Sequence, residues 1–388
     1  MNNVNFPEHW KMIPLEKAVN VFDKKRIPLN ETQRQQMPGE YPYCGANGVV
    51  DYVNDYLFDG EHVLLAEDGG YWGSFENSAY LMNGKFWVNN HAHVLQAKQG
   101  LSDNYFLMCQ LNYLDIKPFI SGTTRGKLNQ GMMKRVPLSL PTLPEQRAIA
   151  YILQTIQEAK STRQHEIVLE RERKAALMDF LFSHGTKDEP RKQTEIGEIP
   201  ESWEMTKLGD LVKLKSGETR PKDIESKPDA ERTIPVYGGN GILGYTGKQF
   251  SDQRLLVIGR VGAYCGCVHI AEAPNWITDN ALYSEKWFSN EVSLDFLAEQ
   301  LEHFNLNQLQ RRGGQPLITQ SILHQLKVPL PPFPEQYAIA ETFSAFDEKI
   351  AVLEQEVELI DELFHAMLEG LMTGQRSAVP LLESGEIQ

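Results

Sequence analysis

The sequence predicts a mixed α+β protein with two similar globular domains, each followed by a long helix, and with the two helices paired as an antiparallel coiled coil. Three observations predict this fold. Most of the 388-residue chain consists of one unit that occurs twice. Each copy contains short apolar runs bounded by glycine and aspartate, which are typical of strands. A heptad pattern of apolar residues, typical of a coiled coil, ends the second copy, and a weaker one ends the first.

The duplication is visible in motifs that return after 190 or 193 residues. Solenoid repeats are much shorter, roughly 20–50 residues. Each copy is therefore expected to fold as a domain, and a protein with two similar domains is expected to bind something with two similar parts. The recurring motifs are Pro-Glu-x-Trp at 7–10 and 200–203, Gly-x-Asn-Gly at 45–48 and 238–241, and Leu-Pro-x-x-Pro-Glu-Gln at 140–146 and 330–336.

Motifs, helical periodicity and polar stretches divide the chain into six segments. A proline at the start of each helical pattern, Pro144 and Pro334, suits a first helical turn, where no backbone N–H is needed. The predicted segments are a first domain at 1–143, a helix at 144–184, a linker at 185–199, a second domain at 200–333, a helix at 334–374 and a tail at 375–388.

The second helix carries apolar residues at alternating steps of four and three, which indicates a coiled-coil seam. The first helix is apolar at both ends and polar in its middle, where Lys160, Arg163, Glu170 and Lys174 occupy seam positions. About 38 helical residues in each segment would span about 57 Å. The predicted seam residues are Ile149, Leu153, Ile156, Ile339, Phe343, Phe346, Ile350, Leu353, Val357 and Ile360.

Composition limits the class of protein. The chain has four cysteines in no CxxC pair and no apolar run near the ~20 residues of a membrane span, so we expect a reduced, cytoplasmic protein without membrane contact. The formal net charge of −14 argues against nucleic acid at first sight. Most of that charge, −10, belongs to residues 334–388, which leaves two nearly neutral domains with local basic clusters.

The sequence offers no catalytic constellation. Gly239 to Gly244 match GxGxxG, but another turn follows them and no helix, so a loop is the better interpretation. His91 and His93 alternate on a predicted strand without an evident third ligand, and we predict no metal site. Pro331-Pro332-Phe333 follows a leucine, which cannot accept a proton as a methyltransferase loop requires.

The remaining candidates are polar and aromatic side chains of the types that contact bases or phosphates. Glycine, tyrosine and asparagine positions shared by both copies look like common scaffold, whereas the positions between them differ, as in Glu67 against Arg260. Two domains with one scaffold and different polar surfaces would read two different sequences. The predicted DNA-binding residues are Lys24, Arg26, Asn47, Tyr71, Arg125, Lys127, Arg220, Asn240, Arg260, Tyr264, Arg311, Arg312 and Gln315.

The repeated motifs, together with Trp-Val-Asn-Asn-His-Ala-His-Val at 87–94, resemble the specificity subunits of Type I restriction–modification enzymes over almost the whole chain. The resemblance implies a target-recognition domain in each copy, a coiled coil that spaces the domains, and no catalysis in this chain. It implies binding to a bipartite double-stranded DNA site. The implied protein partners are two methyltransferase subunits and the translocating restriction subunits, which would hold the S-adenosylmethionine, ATP and Mg²⁺.

Two other classes of protein stay open at this point. A coiled-coil adaptor without a DNA role would share the helices, and an enzyme with an unrecognised motif, such as a methyltransferase acting alone, would share the size. Specificity subunits of Type IIB-like systems share the architecture, and the sequence does not separate them from Type I.

Overall fold

The computed structural model describes residues 7–122, 126–310 and 316–383. Its contacts divide the chain into two compact units. Unit 1 comprises residues 1–165 and 354–388, and unit 2 comprises residues 166–353. Within the described residues, no helix is both long and apolar enough to cross a lipid bilayer.

Within its described residues, 7–122 and from 126 onward, the first repeat contains nine strands and five α-helices. These elements are β1 Lys11–Pro14, α1 Leu15–Ala18, β2 Val19–Val21, α2 Glu31–Gln35, β3 Pro38–Gly45, β4 Gly48–Val53, β5 His62–Ala66, β6 Ala79–Met82, β7 Trp87–Val88, β8 Ala92–Ala97, α3 Asn104–Tyr113, α4 Gln130–Met133, β9 Pro137–Leu140 and α5 Leu143–His184.

The second repeat follows a short hairpin that is absent from the described part of the first. The elements are β10 Arg191–Thr194, β11 Gly197–Pro200, β12 Glu204–Lys207, α6 Leu208–Leu211, β13 Val212–Ser216, β14 Ile234–Gly238, β15 Gly241–Thr246, β16 Leu255–Gly259, β17 Val268–Ala271, β18 Trp276–Ile277, β19 Ala281–Trp287, α7 Leu294–His303, α8 Gln320–Gln325, β20 Lys327–Leu330, α9 Phe333–Met372 and α10 Val379–Glu383.

The two repeats have the same sheet topology. A four-stranded sheet has the order β2-β8-β5-β6 in the first repeat and β13-β19-β16-β17 in the second. A three-stranded sheet has the order β4-β3-β7 or β15-β14-β18, and a two-stranded ribbon pairs β1 with β9 or β12 with β20. The central strands β5 and β16 are buried along their full length, as expected for continuous apolar runs. The predicted α+β fold with two similar domains is confirmed.

The ribbon joins each domain to its long helix, and a glutamine fixes the joint. In the first repeat, Nε2 of fully buried Gln146 donates to the carbonyl oxygens of Leu101 and Pro141, each at 3.0 Å. Its Oε1 accepts from the N–H of Asp103 at 3.1 Å, the residue that caps α3. One side chain therefore satisfies three backbone groups where α5 leaves the domain.

The second repeat uses the same device. Nε2 of fully buried Gln336 donates to the carbonyl oxygens of Glu291 and Pro331, and its Oε1 accepts from the N–H of Ser293 at 2.9 Å. Ser293 caps α7, the counterpart of α3. The repeated Pro-Glu-Gln motif thus encodes a structural joint, which the sequence predicted only as a helix start.

In unit 1, α5 and α9 pack through apolar residues and ion pairs. Ile149 and Leu153 of α5 share a buried cluster with Leu368 and Leu371 of α9. Lys160 forms an ion pair with Asp361. Further along, Arg163 Nε lies 2.7 Å from a carboxylate oxygen of Glu356. The partner number falls on α9 as the residue number rises on α5, so the two helices are antiparallel here.

In unit 2, the same two helices pair in the same sense. Glu170 accepts from Lys349 at 2.7 Å, and Lys174 contacts Asp347 at 2.8 Å. Lys174 also contacts Glu299 in α7 at 3.1 Å. Beyond these ion pairs, an apolar cluster formed by both helices and the second domain includes Phe182 and Phe343. The predicted antiparallel pairing of the long helices is confirmed.

The ion pairs explain the polar middle of the first helix. Lys160, Arg163, Glu170 and Lys174 are the four charged residues at its seam positions, and each meets an opposite charge on α9. Three acidic residues of α9, Asp347, Glu356 and Asp361, are therefore paired within the chain. Of the predicted seam, Ile149, Leu153, Ile339, Phe343, Ile350 and Leu353 are buried, and Ile156, Phe346, Val357 and Ile360 are half-buried.

Each long helix ends against a Pro-x-x-Trp motif. Gly185 follows α5 with φ +68°, and a Cβ there would meet Glu335 Oε1 at 2.7 Å and Pro200 Cγ at 3.1 Å. Gly374 follows α9 with φ +71°, and a Cβ there would meet Pro7 Cγ at 2.3 Å. Both positions need a glycine for the left-handed conformation and for the close approach.

Candidate functional site

In unit 1, three segments meet next to the end of β5. The hairpin turn between β3 and β4 presents Asn47, which is exposed and whose Nδ2 donates to the carbonyl oxygen of Gly69 at 3.0 Å. Tyr71, 60% exposed, lies two residues further along the same loop. Lys127, in the loop that precedes α4, forms an antiparallel backbone β-bridge with Asp68. The loop after β5 therefore brings Asn47, Tyr71 and Lys127 together.

The hairpin turn of unit 1 is held from behind by a tyrosine. The Tyr80 hydroxyl donates to the carbonyl oxygen of Gly45 at 2.6 Å. Burial raises the pKa of Tyr80, so the hydroxyl keeps its proton and stays a donor. Gly48 completes the turn with φ +128°, a conformation that favours glycine. The repeated Gly-x-Asn-Gly motif therefore positions an exposed asparagine.

Behind this surface lies a charge network, buried except at Lys127, that the sequence did not reveal. Arg26 Nη1 donates to Glu67 Oε2 at 2.6 Å and to the carbonyl oxygen of Ala92 at 2.6 Å. Lys127 Nζ lies 3.0 Å from the other Glu67 oxygen. Asp23 accepts from His93 Nδ1 at 2.7 Å. Its members come from four places in the chain, at 23–26, 67, 93 and 127, so no local motif identifies the network.

His93 lies between two hydrogen-bond acceptors in this network. Its ring is fully buried, with Nδ1 facing Asp23 Oδ2 and Nε2 facing the carbonyl oxygen of Leu128, both at 2.7 Å. A carboxylate oxygen and a carbonyl oxygen are both acceptors, so each ring nitrogen of His93 faces an acceptor. Burial raises the pKa of Asp23, but the hydrogen bond and charge of His93, with further donors from Val94 and Gln130, outweigh it and hold that pKa below its ordinary value.

The network also bears on metal binding. Ligand atoms of Asp23, Glu67 and His93 lie within 4.8 Å of one another. The guanidinium of Arg26 lies between the two carboxylates, 2.6 Å from Glu67 and 3.7 Å from Asp23. These acids thus have cationic partners already, and the donor set fits a charge network better than a metal centre. His91, the other histidine considered as a ligand, pairs with Asp68 instead, at 2.6 Å.

Unit 2 has a surface that corresponds to the one formed by Asn47, Tyr71 and Lys127 in unit 1. The turn between β14 and β15 carries exposed Asn240. The adjacent Gly239 approaches β16 so closely that a Cβ on Gly259 would meet its carbonyl oxygen at 2.5 Å. Arg260 follows Gly259 directly, and Tyr264, 51% exposed, lies in the same loop. Asn240, Arg260 and Tyr264 thus occupy one surface, as Asn47, Tyr71 and Lys127 do in the first repeat.

The other predicted DNA contacts lie elsewhere or outside the described residues. Arg26 faces inward and is engaged by the buried network, so the structure shows a structural role for it. Lys24 is exposed in a short 3-10 turn after β2, and Arg220 is exposed in the loop after β13. Arg125, Arg311, Arg312 and Gln315 lie outside the described residues.

The duplicated fold, with an exposed asparagine, an exposed tyrosine and a cation in each copy, defines a two-domain recognition protein. Residues 7–171 and residues 200–362 each match the family of the Type I restriction modification DNA specificity domain. The chain belongs to this family. It is therefore a DNA-recognition subunit without catalytic activity of its own, as the sequence predicted, and the catalytic activities of such systems lie in partner subunits.

Individual relatives agree with this assignment. The type I restriction enzyme MjaVIII specificity subunit of Methanocaldococcus jannaschii is 25% identical over 97% of this chain and 95% of its own length. A putative type I restriction enzyme specificity subunit of Haemophilus influenzae is 39% identical, over 38% of this chain and 37% of its own length. The crystal structure of a Type-I restriction-modification system S subunit from M. genitalium, 16% identical, shares the fold with a TM-score of 0.67, covering 96% of this chain and 97% of that one.

Proposed function

We propose that each repeat of this chain reads one half of a bipartite double-stranded DNA site with an unread spacer. One observation carries this proposal: both repeats place an exposed asparagine, an exposed tyrosine and a cation around the end of the same buried strand, with different neighbours. Shared scaffold residues position the surface, and the residues that differ distinguish the two half-sites. In this proposal, the exposed side chains of Lys24 and Arg220 bind DNA phosphates. Arg26 does not bind DNA directly but stabilises the surface through the charge network with Glu67.

We further propose that the chain is the scaffold of a Type I methyltransferase. Two methyltransferase subunits bind it, one for each half of the duplicated chain, and restriction subunits join them. The repeated construction supports this stoichiometry, because two similar halves offer two similar docking surfaces. S-adenosylmethionine, ATP and Mg²⁺ would then bind to the partner subunits. An occurrence in the cytoplasm, where genomic DNA is accessible, follows from this role.

Methylome sequencing tests the bipartite site. Cells that express the partner methyltransferase with or without this chain would be compared. We expect methylated adenines in one motif of two short words separated by a fixed gap, only in the presence of the chain. Methylation without a bipartite motif, or the same motif in both strains, would contradict the proposal. Methyl transfer by the isolated chain would contradict the assignment of catalysis to partners.

Individual contacts can be tested by gel shift with the selected site. We expect Lys127→Ala, and in the segments outside the described residues Arg125→Ala and Arg311→Ala, to weaken binding. Unchanged affinity and selectivity would remove the residue concerned from the interface. Lys349→Ala, on α9 and outside the set of residues proposed to contact DNA, is the control for the loss of one lysine.

A further inference from the structure

Glu67 and Arg260 occupy the same backbone position in the two repeats. Each follows the fully buried central strand, β5 or β16, and they are 193 residues apart, the spacing of the duplication. Each is fixed by two equivalent backbone hydrogen bonds, so the two side chains start from the same place. The bonds join Glu67 N–H to His91 O at 2.8 Å and Leu128 N–H to Glu67 O at 2.7 Å, and Arg260 N–H to Asn280 O at 3.0 Å and Ile318 N–H to Arg260 O at 2.9 Å.

The surroundings of this position differ in charge. In the first repeat, Glu67 belongs to the network in which Arg26, Lys127 and His93 compensate two carboxylates. In the second repeat, every other charged member of the network has been replaced by a neutral residue. At the spacing of the duplication, the replacements are Ser216 for Asp23, Thr219 for Arg26 and Leu317 for Lys127. By register in the sheet, Leu282 replaces His93, because His93 pairs with Leu65 and Leu282 pairs with Ile258.

Arg260 is consequently a cation without an acid. Its Nη1 donates to Ser216 Oγ at 2.6 Å, the position that carries Asp23 in the first repeat. Among the described residues, no carboxylate oxygen lies within the 4.0 Å of an ion pair from it, and its buried Nε has no hydrogen-bond partner. Burying a guanidinium with unused donors costs free energy unless an acceptor arrives from outside.

We propose that Arg260 is a specificity-determining residue of the second repeat and binds the edge of a guanine in the major groove. A guanidinium presents two parallel N–H groups that match the N7 and O6 acceptors of guanine. Asn240 and Tyr264 on the same surface would flank that base. The first repeat has a closed network at this position, so the two repeats read their half-sites by different chemistry. This inference rests on the proposed function.

The test uses the complete complex of this chain with its methyltransferase partner, and measures binding and methylation over a library of sites. Arg260→Ala is expected to lower discrimination for guanine roughly 10- to 100-fold at one position of one half-site and to leave the other half-site unchanged. Arg260→Lys keeps the charge but not the planar fork, so the same discrimination should be lost while most of the affinity remains.

Arg254→Ala is the matched control, because Arg254 lies in the same repeat but is paired with Glu272 and Asp295. It should leave both half-sites unchanged, and thermal melting checks that each variant is folded. A uniform loss of affinity in Arg260→Ala, without a change of motif, would identify a phosphate contact and overturn the inference, as would an unchanged motif and affinity. A native complex without a bipartite motif would instead overturn the proposed function itself.

Discussion

The side-chain amide of Gln146 donates to the carbonyl oxygen of Leu101 at 3.0 Å and so attaches α5 to the first domain. Gln146→Leu keeps the side-chain volume but leaves three backbone groups unpaired in a fully buried place. We expect a loss of about 2–4 kcal/mol in the free energy of unfolding. Gln154→Leu, on the exposed face of the same helix, should change it by less than about 0.5 kcal/mol. Urea unfolding measures both, and equal midpoints would contradict the role of the joint.

Leu353 and Val352 are neighbours on α9 with opposite environments, 7% and 54% exposed. Leu353→Asp places an unpaired charge in the predicted seam and is expected to cost about 3–5 kcal/mol. Val352→Asp makes the same chemical change toward solvent and should cost about 0.5 kcal/mol or less. Circular dichroism at 222 nm during thermal unfolding compares the two variants. If they unfold together, Leu353 is not a seam residue.

Asp23 makes the stability of the first domain depend on pH. Its pKa is lower in the folded than in the unfolded state, so its contribution is fully present above the unfolded value near 3.9 and is lost as the pH falls through the folded value. We therefore expect Asp23→Asn to lower the melting temperature at pH 7, and the difference from the native chain to shrink below about pH 4. A difference that is constant between pH 7 and pH 3 would argue against the charge network.

The glycine after α9 can be tested against one with a similar backbone and free space. Gly374 and Gly100 have φ angles of +71° and +77°, but only Gly374 has a close neighbour, Pro7. Gly100→Ala should cost about 1–2 kcal/mol from backbone strain alone. Gly374→Ala adds the collision with Pro7 and should cost clearly more. Calorimetric melting temperatures of the two variants separate backbone strain from the contact with Pro7. Equal decreases in melting temperature would show that Pro7 moves aside without a further cost.

Large parts of the fold were predictable from the sequence because repetition and periodicity are visible in one dimension. The duplicated motifs indicated two domains, and the heptad of α9 indicated a paired helix. The ion pairs between the helices could also have been found. An antiparallel alignment of α9 with α5 places Asp361 opposite Lys160 and Asp347 opposite Lys174. A search for apolar residues alone misses these pairs, because it counts each charged residue only as a break in the apolar pattern.

The site was less predictable because its geometry depends on distant segments. Asp23, Glu67 and His93 come from three places in the chain and become neighbours only when β2, β5 and β8 form one sheet. Arg26 resembled a surface cation in the run Lys24-Lys25-Arg26, yet its side chain is only 13% exposed and faces inward. Asn47, Asn240, Tyr71 and Tyr264 were easier to select, since their repetition marked them.

The division of the chain has a consequence for its biosynthesis. Unit 2 is one continuous stretch, whereas unit 1 needs residues beyond 353 to cover Ile149 and Leu153. A ribosome therefore synthesises all of unit 2 before it synthesises the residues beyond 353 that belong to unit 1. The first domain to be translated is the last to be finished, the reverse of the usual vectorial order. A nascent chain stalled before residue 354 leaves an apolar strip of α5 uncovered, a place where a chaperone can bind until translation resumes.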